Sequence, residues 1–397
     1  MADTTPGKVI RGGRQRRRMT QAALAESAGV SIDLVRKLEQ GQRNSARIDS
    51  LMAIANALDM PVGDLIGKPR GLTVGAENGE VLHLRRAILG ITPHSGEPPS
   101  LADLRAQLGE LWDMYWHGRY AVLARSLPGH ITAARALAHS ASGTVARHAH
   151  TGIAEALQLT ASLLTHLAHE DLAQLALTHA TAAADAADDP LLVASMQATR
   201  TWVLTRQGLW SEAETIAATT ADEVEPKLST GTVDQLAVWG ELLRYTALSL
   251  TRAGRHTEAT DAQQLLDAAA ARMGSDRASK YTGIAFGPTV AAMRAVDAAV
   301  AADKPRHALD LARRVTTPDA VPPAMHARYL LTVAYAQTLD WRNTDAVNTI
   351  RHAESITPEL LPHQTLARVL VAELLPRRRT QRLPGLVPLA QRIGVTG

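Results

Sequence analysis

The side chains best suited to bind another molecule are the basic ones near the beginning of the chain. Residues 1–70 contain 12 Lys+Arg and 7 Asp+Glu, a net charge of +5, whereas the remaining residues carry 30 basic and 32 acidic side chains, a net charge of −2. A positive field confined to one end of a 397-residue chain attracts a polyanion. The charge distribution therefore indicates a nucleic acid as the partner of this segment.

The other groups of residues that could do chemistry give only weak sequence signals. His166 and His169 lie one helical turn apart beside Glu170 and Asp171, a spacing that could chelate a metal, but a chain with 15 histidines produces such a pair by chance. The sequence contains no nucleophile elbow, no zinc-binding helix motif and no phosphate-binding loop. We therefore expect no metal, no cofactor and no catalysis.

The composition predicts a folded protein inside the cell. Hydrophobic residues make up 46% and charged residues 20% of the chain, which suffices for two or more cores. The absence of cysteine removes disulfides and thiolate metal sites, and neither a signal peptide nor a run of about 18 apolar residues is present. We expect a soluble cytoplasmic protein. The excess of arginine over lysine indicates a GC-rich bacterial genome, such as that of an actinobacterium.

Glycine, proline and capping residues divide the first 70 residues into five short helices. Thr20 and Ser31 are suited to cap the second and third helices, because their hydroxyl groups accept backbone N–H bonds. Ala25 supplies the small residue where these helices cross, and Gly29 supplies a turn free of side-chain clash. The predicted helices cover residues 8–18, 21–28, 32–39, 47–58 and 64–66. The positions expected to be buried between the two central helices are Leu24, Ala28, Val30, Val35 and Leu38.

Residues 21–40 resemble the helix-turn-helix of phage repressors and Cro proteins, the XRE family, and the resemblance extends over residues 8–67. It implies an all-α fold that begins with a five-helix lambda-repressor-like domain, whose third helix enters the major groove of double-stranded DNA. Arg36 or Lys37 would donate to guanine and Ile32 would meet a thymine methyl group, whereas Asp33 would accept from cytosine or cap the helix. The residues implied to read bases are Ser31, Ile32, Asp33, Arg36 and Lys37.

The same resemblance assigns roles to residues around the third helix. Arg14 and Glu39 match a family pair that bridges helices one and three, so we expect this pair to be structural, as are Ala25 and Gly29. The basic run before the second helix could contact phosphate or simply form a solvated face. The candidate phosphate contacts are Gln21, Arg43, Asn44, Arg16 and Arg17.

The rest of the chain is predicted to form a linker and a helical-repeat domain. Residues 1–70 are the DNA-binding domain, residues 71–100 a linker with one helix at 80–89, and residues 101–397 the repeats. Apolar residues recur with helical spacing from 101 to about 375, and no alternation typical of strands is present. Two turns share the spacing Gly-x-aromatic-x-x-Ala, at Gly208 and Gly254. Looser copies lie at Gly118, near Glu170, at Asp303 and at Trp341.

This pattern resembles a degenerate tetratricopeptide domain, which implies an α-solenoid with a concave ligand-binding surface. Trp210 and Trp341 lie at the turns and are expected to pack between helices. Arg377, Arg378 and Arg379 could help to bind DNA, but a solvated tail after the final helix is the expected arrangement. The tryptophans that could line a ligand site, the alternative being ordinary core packing, are Trp112, Trp116, Trp202 and Trp239.

Together the two resemblances imply a bacterial transcription regulator without a membrane association. It would bind a palindromic operator as a homodimer, and a peptide or small-molecule effector in the repeats would modulate DNA binding. The alternative is a protein-interaction scaffold whose helix-turn-helix only tethers it to DNA. An enzyme is the weakest option, because no acid–base or nucleophile group is found.

Overall fold

The computed structural model describes residues 6–42, 46–58, 60, 65, 79–281, 285–316, 321–378 and 380–395. These residues form an N-terminal helical unit, called the head here, followed by a long series of helical repeats. The all-α fold class predicted from the sequence is confirmed. None of the described helices is long and apolar enough to cross a membrane.

The head consists of α1 (Pro6–Arg16), α2 (Gln21–Ser27), α3 (Ile32–Glu39) and α4 (Ile48–Ala57). The Thr20 hydroxyl accepts from the Ala23 N–H at 3.0 Å and the Ser31 hydroxyl from the Leu34 N–H at 3.2 Å, so both predicted caps are formed. Gly29 adopts a φ of +60° in the turn between α2 and α3. The predicted fifth helix falls mostly outside the described residues. The core of the head includes Ile10, Leu24, Ala25, Val35, Leu38, Leu51, Ile54 and Leu65.

The predicted linker contains α5 (Gly79–Leu89). Leu84, Ala87 and Ile88 are buried in the same hydrophobic core as the repeats. Arg135, from the first repeat, donates to the carbonyl oxygens of Ala87 and, at 2.9 Å, of Ile88. These bonds satisfy two carbonyl groups at the end of α5. This helix is therefore packed onto the repeats.

The repeats begin as six helical hairpins. A first helix and a second helix make up each hairpin, and the first helices are α6, α8, α10, α12, α14 and α16. In chain order the hairpins are α6 (Leu101–Trp116) with α7 (Tyr120–Ser140), α8 (Gly143–His166) with α9 (Glu170–Ala186), α10 (Pro190–Gln207) with α11 (Trp210–Glu223), α12 (Val233–Arg252) with α13 (His256–Met273), α14 (Pro288–Ala301) with α15 (Pro305–Ala312), and α16 (Pro323–Leu339) with α17 (Asn343–Ile356).

All six hairpins share the same turn. In each turn a backbone N–H donates to the carbonyl oxygen five residues earlier, at 2.8–3.0 Å, as in a Schellman motif. Each turn also contains one residue with a left-handed φ, and these residues coincide with or lie close to the turn positions predicted from the sequence. They are Gly118, Ala168, Gly208, Gly254, Asp303 and Trp341. The six turns thus share one backbone geometry, and only three of them have glycine at the left-handed position.

The first helices of the hairpins form a closed ring. Each contacts the first helix of the next hairpin, from α6 through α8, α10, α12 and α14 to α16, and α16 in turn contacts α6. The sequence predicted a solenoid with a concave surface. The structure instead brings the first and sixth hairpins together, so the concave surface becomes the wall of a cavity.

Three features of the repeats differ from the sequence-based expectations. A short antiparallel pair, β1 (Arg277–Ala278) and β2 (Ala285–Phe286), connects α13 to α14. Trp341 does not pack between helices: it is 71% exposed, with the Arg377 guanidinium over its ring at 4.5 Å. Beyond the sixth hairpin the chain forms a 3₁₀ helix (Leu361–His363), α18 (Thr365–Arg377) and α19 (Leu386–Ile393).

The prediction of a solvated C-terminal tail is therefore wrong. Arg377 donates to the Thr338 carbonyl oxygen at 3.2 Å and to Asn343 Oδ1 at 2.6 Å. The segment that follows ends in α19, whose apolar face is buried in the core of the repeats. The sequence analysis missed α19 because this short amphipathic helix follows the arginine run and a break that contains proline and glycine.

Candidate DNA-recognition surface and ligand cavity

The polar face of α3 is exposed along its whole length. The five side chains predicted to read base edges all lie exposed on it or at its N-cap: Ser31, Ile32, Asp33, Arg36 and Lys37. Ile32 exposes 41% of its surface, which leaves apolar area for a methyl group. Lys37 Nζ lies 2.7 Å from Asp33 Oδ2, so its charge is partly offset. Arg36 has no carboxylate partner among the described residues, so its charge is not offset in this way.

A buried ion-pair network holds α3 on the head. Glu39 Oε1 accepts from Arg14 Nε at 2.6 Å, and Glu39 Oε2 accepts from Arg14 Nη2 and from Gln21 Nε2, both at 2.8 Å. Because Arg14 belongs to α1 and Gln21 to α2, these bonds join three helices. On the other side of α3, Val35 and Leu38 are fully buried. The orientation of the exposed face is thus fixed by the core and by this network.

The network also fixes the charge of Glu39. Burial would raise the pKa of the Glu39 carboxyl, but the bonds from Arg14 and Gln21 outweigh burial and hold that pKa below its ordinary value. The side chain is therefore a carboxylate at neutral pH. Gln21 uses one amide hydrogen on Glu39, so one remains for the predicted phosphate contact.

The other candidate phosphate contacts lie around the edge of this face. Arg16 and Arg17 are exposed at the C-terminal end of α1. Arg43 and Asn44 lie outside the described residues. Ala25 is buried in the contact of α2 with its neighbours, at the small-residue position that the sequence indicated.

The ring of first helices encloses a cavity of about 180 Å³, to which all six of these helices contribute. Three of the four tryptophans predicted to line a ligand site line this cavity: Trp112, Trp116 and Trp202. The assignment of Trp239 is wrong, because this side chain is 2% exposed in the core of the repeats. The cavity face of its helix α12 is formed by residues 237, 238, 241, 244 and 245.

Charged side chains line the cavity and are largely paired with each other. Glu241 accepts from Arg244 through both carboxylate oxygens, one of them at 3.0 Å, and its Oε2 lies 3.9 Å from Arg294 Nη2. Asp297 lies 3.3 Å from Arg294 Nη1. Burial would raise the pKa of Glu241, but Arg244 and Arg294 outweigh it and lower that pKa. Arg328 donates through Nε to the Ala324 carbonyl oxygen at 3.0 Å, within its own helix α16.

His166, one of the two histidines considered for a metal, has other partners. Its Nδ1 accepts from Gln364 Nε2 at 3.2 Å, so its Nε2 carries the hydrogen and donates to the Tyr115 hydroxyl, also at 3.2 Å. Burial lowers the pKa of His166 well below its ordinary value. No group of three or more His, Asp or Glu side chains that could hold a metal occurs in the described part of the chain.

Comparison with known proteins bears on the head. Residues 11–68 match the family model of the Cro/C1-type HTH DNA-binding domain. The N-terminal unit is a Cro/C1-type helix-turn-helix. No curated protein matches the chain. The solved structure of Bacillus thuringiensis PlcR in complex with the peptide PapR7 and DNA is similar at 10% identity, covering 89% of this chain and 99% of that chain with a TM-score of 0.31. At this identity and TM-score the similarity supports no argument about function.

The Cro/C1-type domain rests on the repeats through α4. Asn56 Nδ2 donates to the Gly208 carbonyl oxygen at 2.9 Å, in the turn of the third hairpin. Arg47 Nη1 lies 3.1 Å from Asp303 Oδ1, in the turn of the fifth hairpin. Val369 of α18 belongs to the hydrophobic core of the Cro/C1-type domain. The polar face of α3 is exposed, whereas α4 of the same domain forms the junction.

Sequence analysis missed the charged residues of the cavity. They lie on alanine-rich helices that otherwise have the pattern of core elements, and Glu241 with Arg244 and Arg294 with Asp297 have the i,i+3 spacing of ordinary surface pairs. The usable signal was the set of apolar residues that flank each charged pair on the same face of its helix. Arg328 also lies over the ring of Trp116 in the first hairpin, and this contact leaves no trace in the local sequence.

Proposed function

We propose that the chain is a transcription regulator that binds a palindromic operator as a homodimer, with DNA binding modulated by a ligand in the ring cavity. The observation that carries the proposal is the placement of the Cro/C1-type domain, whose α3 is free to enter a major groove while its α4 is docked on the repeats. The proposal includes no catalytic role and takes the hairpins as degenerate tetratricopeptide repeats.

The junction supports a route by which the cavity could affect the head. Gly208 and Asp303 lie within two residues of the ends of α10 and α14, which are first helices that line the cavity. A change in the spacing of these helices moves the turns, and the turns contact α4 through Asn56 and Arg47. Since α4 packs against α2 and α2 against α3, the displacement reaches the recognition helix. In a dimer it would change the distance between two α3 helices, which must match half-sites about 34 Å apart.

Two glycines offer a matched test of this route. Gly208 and Gly254 both have left-handed φ values, of +81° and +75°, in equivalent turns of neighbouring hairpins. A Cβ at Gly208 would overlap the side-chain amide of Asn56, whereas a Cβ at Gly254 would meet nothing. Substitution by alanine therefore strains both backbones alike, but only Gly208→Ala also pushes the Asn56 side chain out of its contact with the turn.

The experiment measures the distance between the two heads. The chain contains no cysteine, so Gln15→Cys, on the exposed side of α1, provides a single labelling position. Full-length protein with donor and acceptor dyes is bound to a duplex that the unlabelled protein selects from a random pool. We expect two chains per duplex, and a change of transfer efficiency and of Kd in Gly208→Ala that Gly254→Ala lacks. One chain per duplex would contradict the dimer, and equal behaviour of the two variants would contradict the coupling.

A further inference from the structure

The cavity has the size of a small ring compound. Its volume is about 180 Å³, and a protein cavity of roughly 150 Å³ accommodates benzene. Its wall includes the aromatic side chains of Trp112, Trp116 and Trp202, and Trp112 and Trp116 stack with their ring centroids 6.4 Å apart. A planar ring fits such a wall by offset stacking.

The cavity wall carries one positive charge that no carboxylate balances. Three guanidinium groups and two carboxylates line it, and the carboxylates of Glu241 and Asp297 are bound to Arg244 and Arg294. Arg328 has no carboxylate partner in the described part of the chain. Its guanidinium carbon lies 5.4 Å from the ring centroid of Trp116, so the charge is held against the aromatic wall.

The unpartnered polar atoms of the same residues are mostly donors. Three buried donors of the lining have no hydrogen-bond acceptor among the described residues: Trp112 Nε1, Trp116 Nε1 and Arg294 Nε. Among the described lining residues, one buried acceptor, Gln158 Oε1, has no donor. A buried polar group without a partner costs about 1–3 kcal/mol. An anion brings acceptor oxygens and no further donors, which matches this excess of donors.

From the enclosed volume, the unbalanced guanidinium and the excess of donors, we propose that the cavity binds a small monocarboxylate built on a single aromatic ring. The ring lies against the tryptophan wall and the carboxylate pairs with Arg328, whose planar group binds a carboxylate through two parallel hydrogen bonds. This inference rests on the proposed function, because it names the ligand class of that site. A peptide is less suited, since closure of the ring from α16 to α6 leaves no open groove along which an extended chain could lie.

The test uses the full-length protein and four probes of nearly equal shape. Benzoate and phenylacetate carry the carboxylate, and benzamide and phenylacetamide are their neutral counterparts. Isothermal titration gives the Kd of each probe. We expect each acid to bind at least about tenfold more tightly than its amide, because a charge-assisted bond to arginine is lost in the amide.

A pair of arginine variants locates the site. In Arg328→Gln we expect the acids to lose their advantage over the amides, and no carboxylate is left unpaired by this change. Arg306→Gln removes an arginine that is 88% exposed on α15, outside the cavity lining, and should leave all four Kd values unchanged. Circular dichroism and the melting temperature check that both variants are folded.

Several results would overturn the inference. They are the absence of saturable binding by either acid, equal affinity of acids and amides, and acid binding that Arg328→Gln leaves intact. Tighter binding of a blocked tripeptide with a free carboxyl terminus than of phenylacetate would assign the site to peptides instead.

The operator affinity, measured with and without phenylacetate, separates this inference from the proposed function. If phenylacetate binds with the expected selectivity but leaves the operator affinity unchanged, the ligand class stands and the coupling fails. If no acid binds while Gly208→Ala still shifts the distance between the heads, the ligand class fails and the coupling stands.

Discussion

The DNA-recognition surface and the cavity use arginine in opposite environments. On α3, Arg36 is exposed and has no carboxylate partner among the described residues. In the cavity, Arg244 and Arg294 are paired with carboxylates, and Arg328 is held over aromatic rings. Exposed charge attracts a polyanion from a distance and is screened by salt, whereas enclosed charge interacts strongly over short distances. The first arrangement suits a long anionic surface, and the second suits one small anion.

The same contrast appears inside the head, where it yields the largest expected effect. The Arg14–Glu39 pair is almost inaccessible, with side-chain exposures of 14% and 4%. Arg14→Ala leaves Glu39 buried without its cation and should lower the free energy of unfolding of the head by about 3–5 kcal/mol. Urea denaturation measures this loss.

The exposed pair on α3 is the matched control. Lys37→Ala removes a surface ion pair with Asp33 and should change the free energy of unfolding by less than about 1 kcal/mol. Similar losses in the two variants would show that burial does not distinguish these pairs.

The second prediction uses pH to separate the repeats from the head. The buried histidines lie in the repeats, and residues 1–82 contain no histidine. Burial lowers the pKa of His130 and of His363 to about 4, and that of His166 well below its ordinary value. Between about pH 4 and 6.5 the unfolded chain binds more protons than the folded one, so stability falls as the pH falls through this window.

Both ring nitrogens of His130 lack hydrogen-bond partners among the described residues, which makes His130→Leu a clean test. At pH 5 this histidine costs the folded repeats about 2 kcal/mol relative to pH 7.5. We expect His130→Leu to recover that amount at pH 5 beyond its effect at pH 7.5, as measured by urea denaturation at both values. An effect independent of pH would show that His130 is protonated in the folded state.

The third and smallest effect is at the junction that joins the two regions. Asn56→Ala removes the bond to Gly208 and should lower the free energy of unfolding by about 1 kcal/mol or less, since Asn56 is exposed. It should nevertheless reduce the effect of Gly208→Ala on the distance between the heads, because the overlap with the amide is relieved. Additive effects of the two substitutions would contradict a direct contact between these residues.

Local chemistry explains what the sequence predicted well. The bounds of α3 and the caps at Thr20 and Ser31 follow from residues within one turn of each other, so no distant contact was needed. Most turns of the hairpins were found where glycine or an aromatic residue marked them, and the turn at Asp303 was found from its spacing to Ala308. Ala168 gave no such signal, although it adopts the same left-handed conformation.

Contacts between distant residues explain what the sequence could not predict. Arg328 meets Trp116 only because the sixth hairpin returns to the first, and this closure depends on the summed rotation of six hairpins. Gly208 was recognised as a turn residue, but its contact with Asn56 of the head has no local pattern. Trp239 was predicted to line a ligand site but lies in the core, because the sequence does not show which face of a helix meets a cavity.

The most direct test of the central claim is the selection of bound duplexes from a random pool by the full-length protein and by Arg36→Ala. The account predicts a palindromic motif for the wild-type chain, and loss of preference at one position in each half-site for Arg36→Ala, worth about 1–3 kcal/mol. An unchanged motif in Arg36→Ala would contradict base recognition by this face of α3. Selection of no motif, with binding that only weakens as salt increases, would make the head a non-specific tether and favour the scaffold.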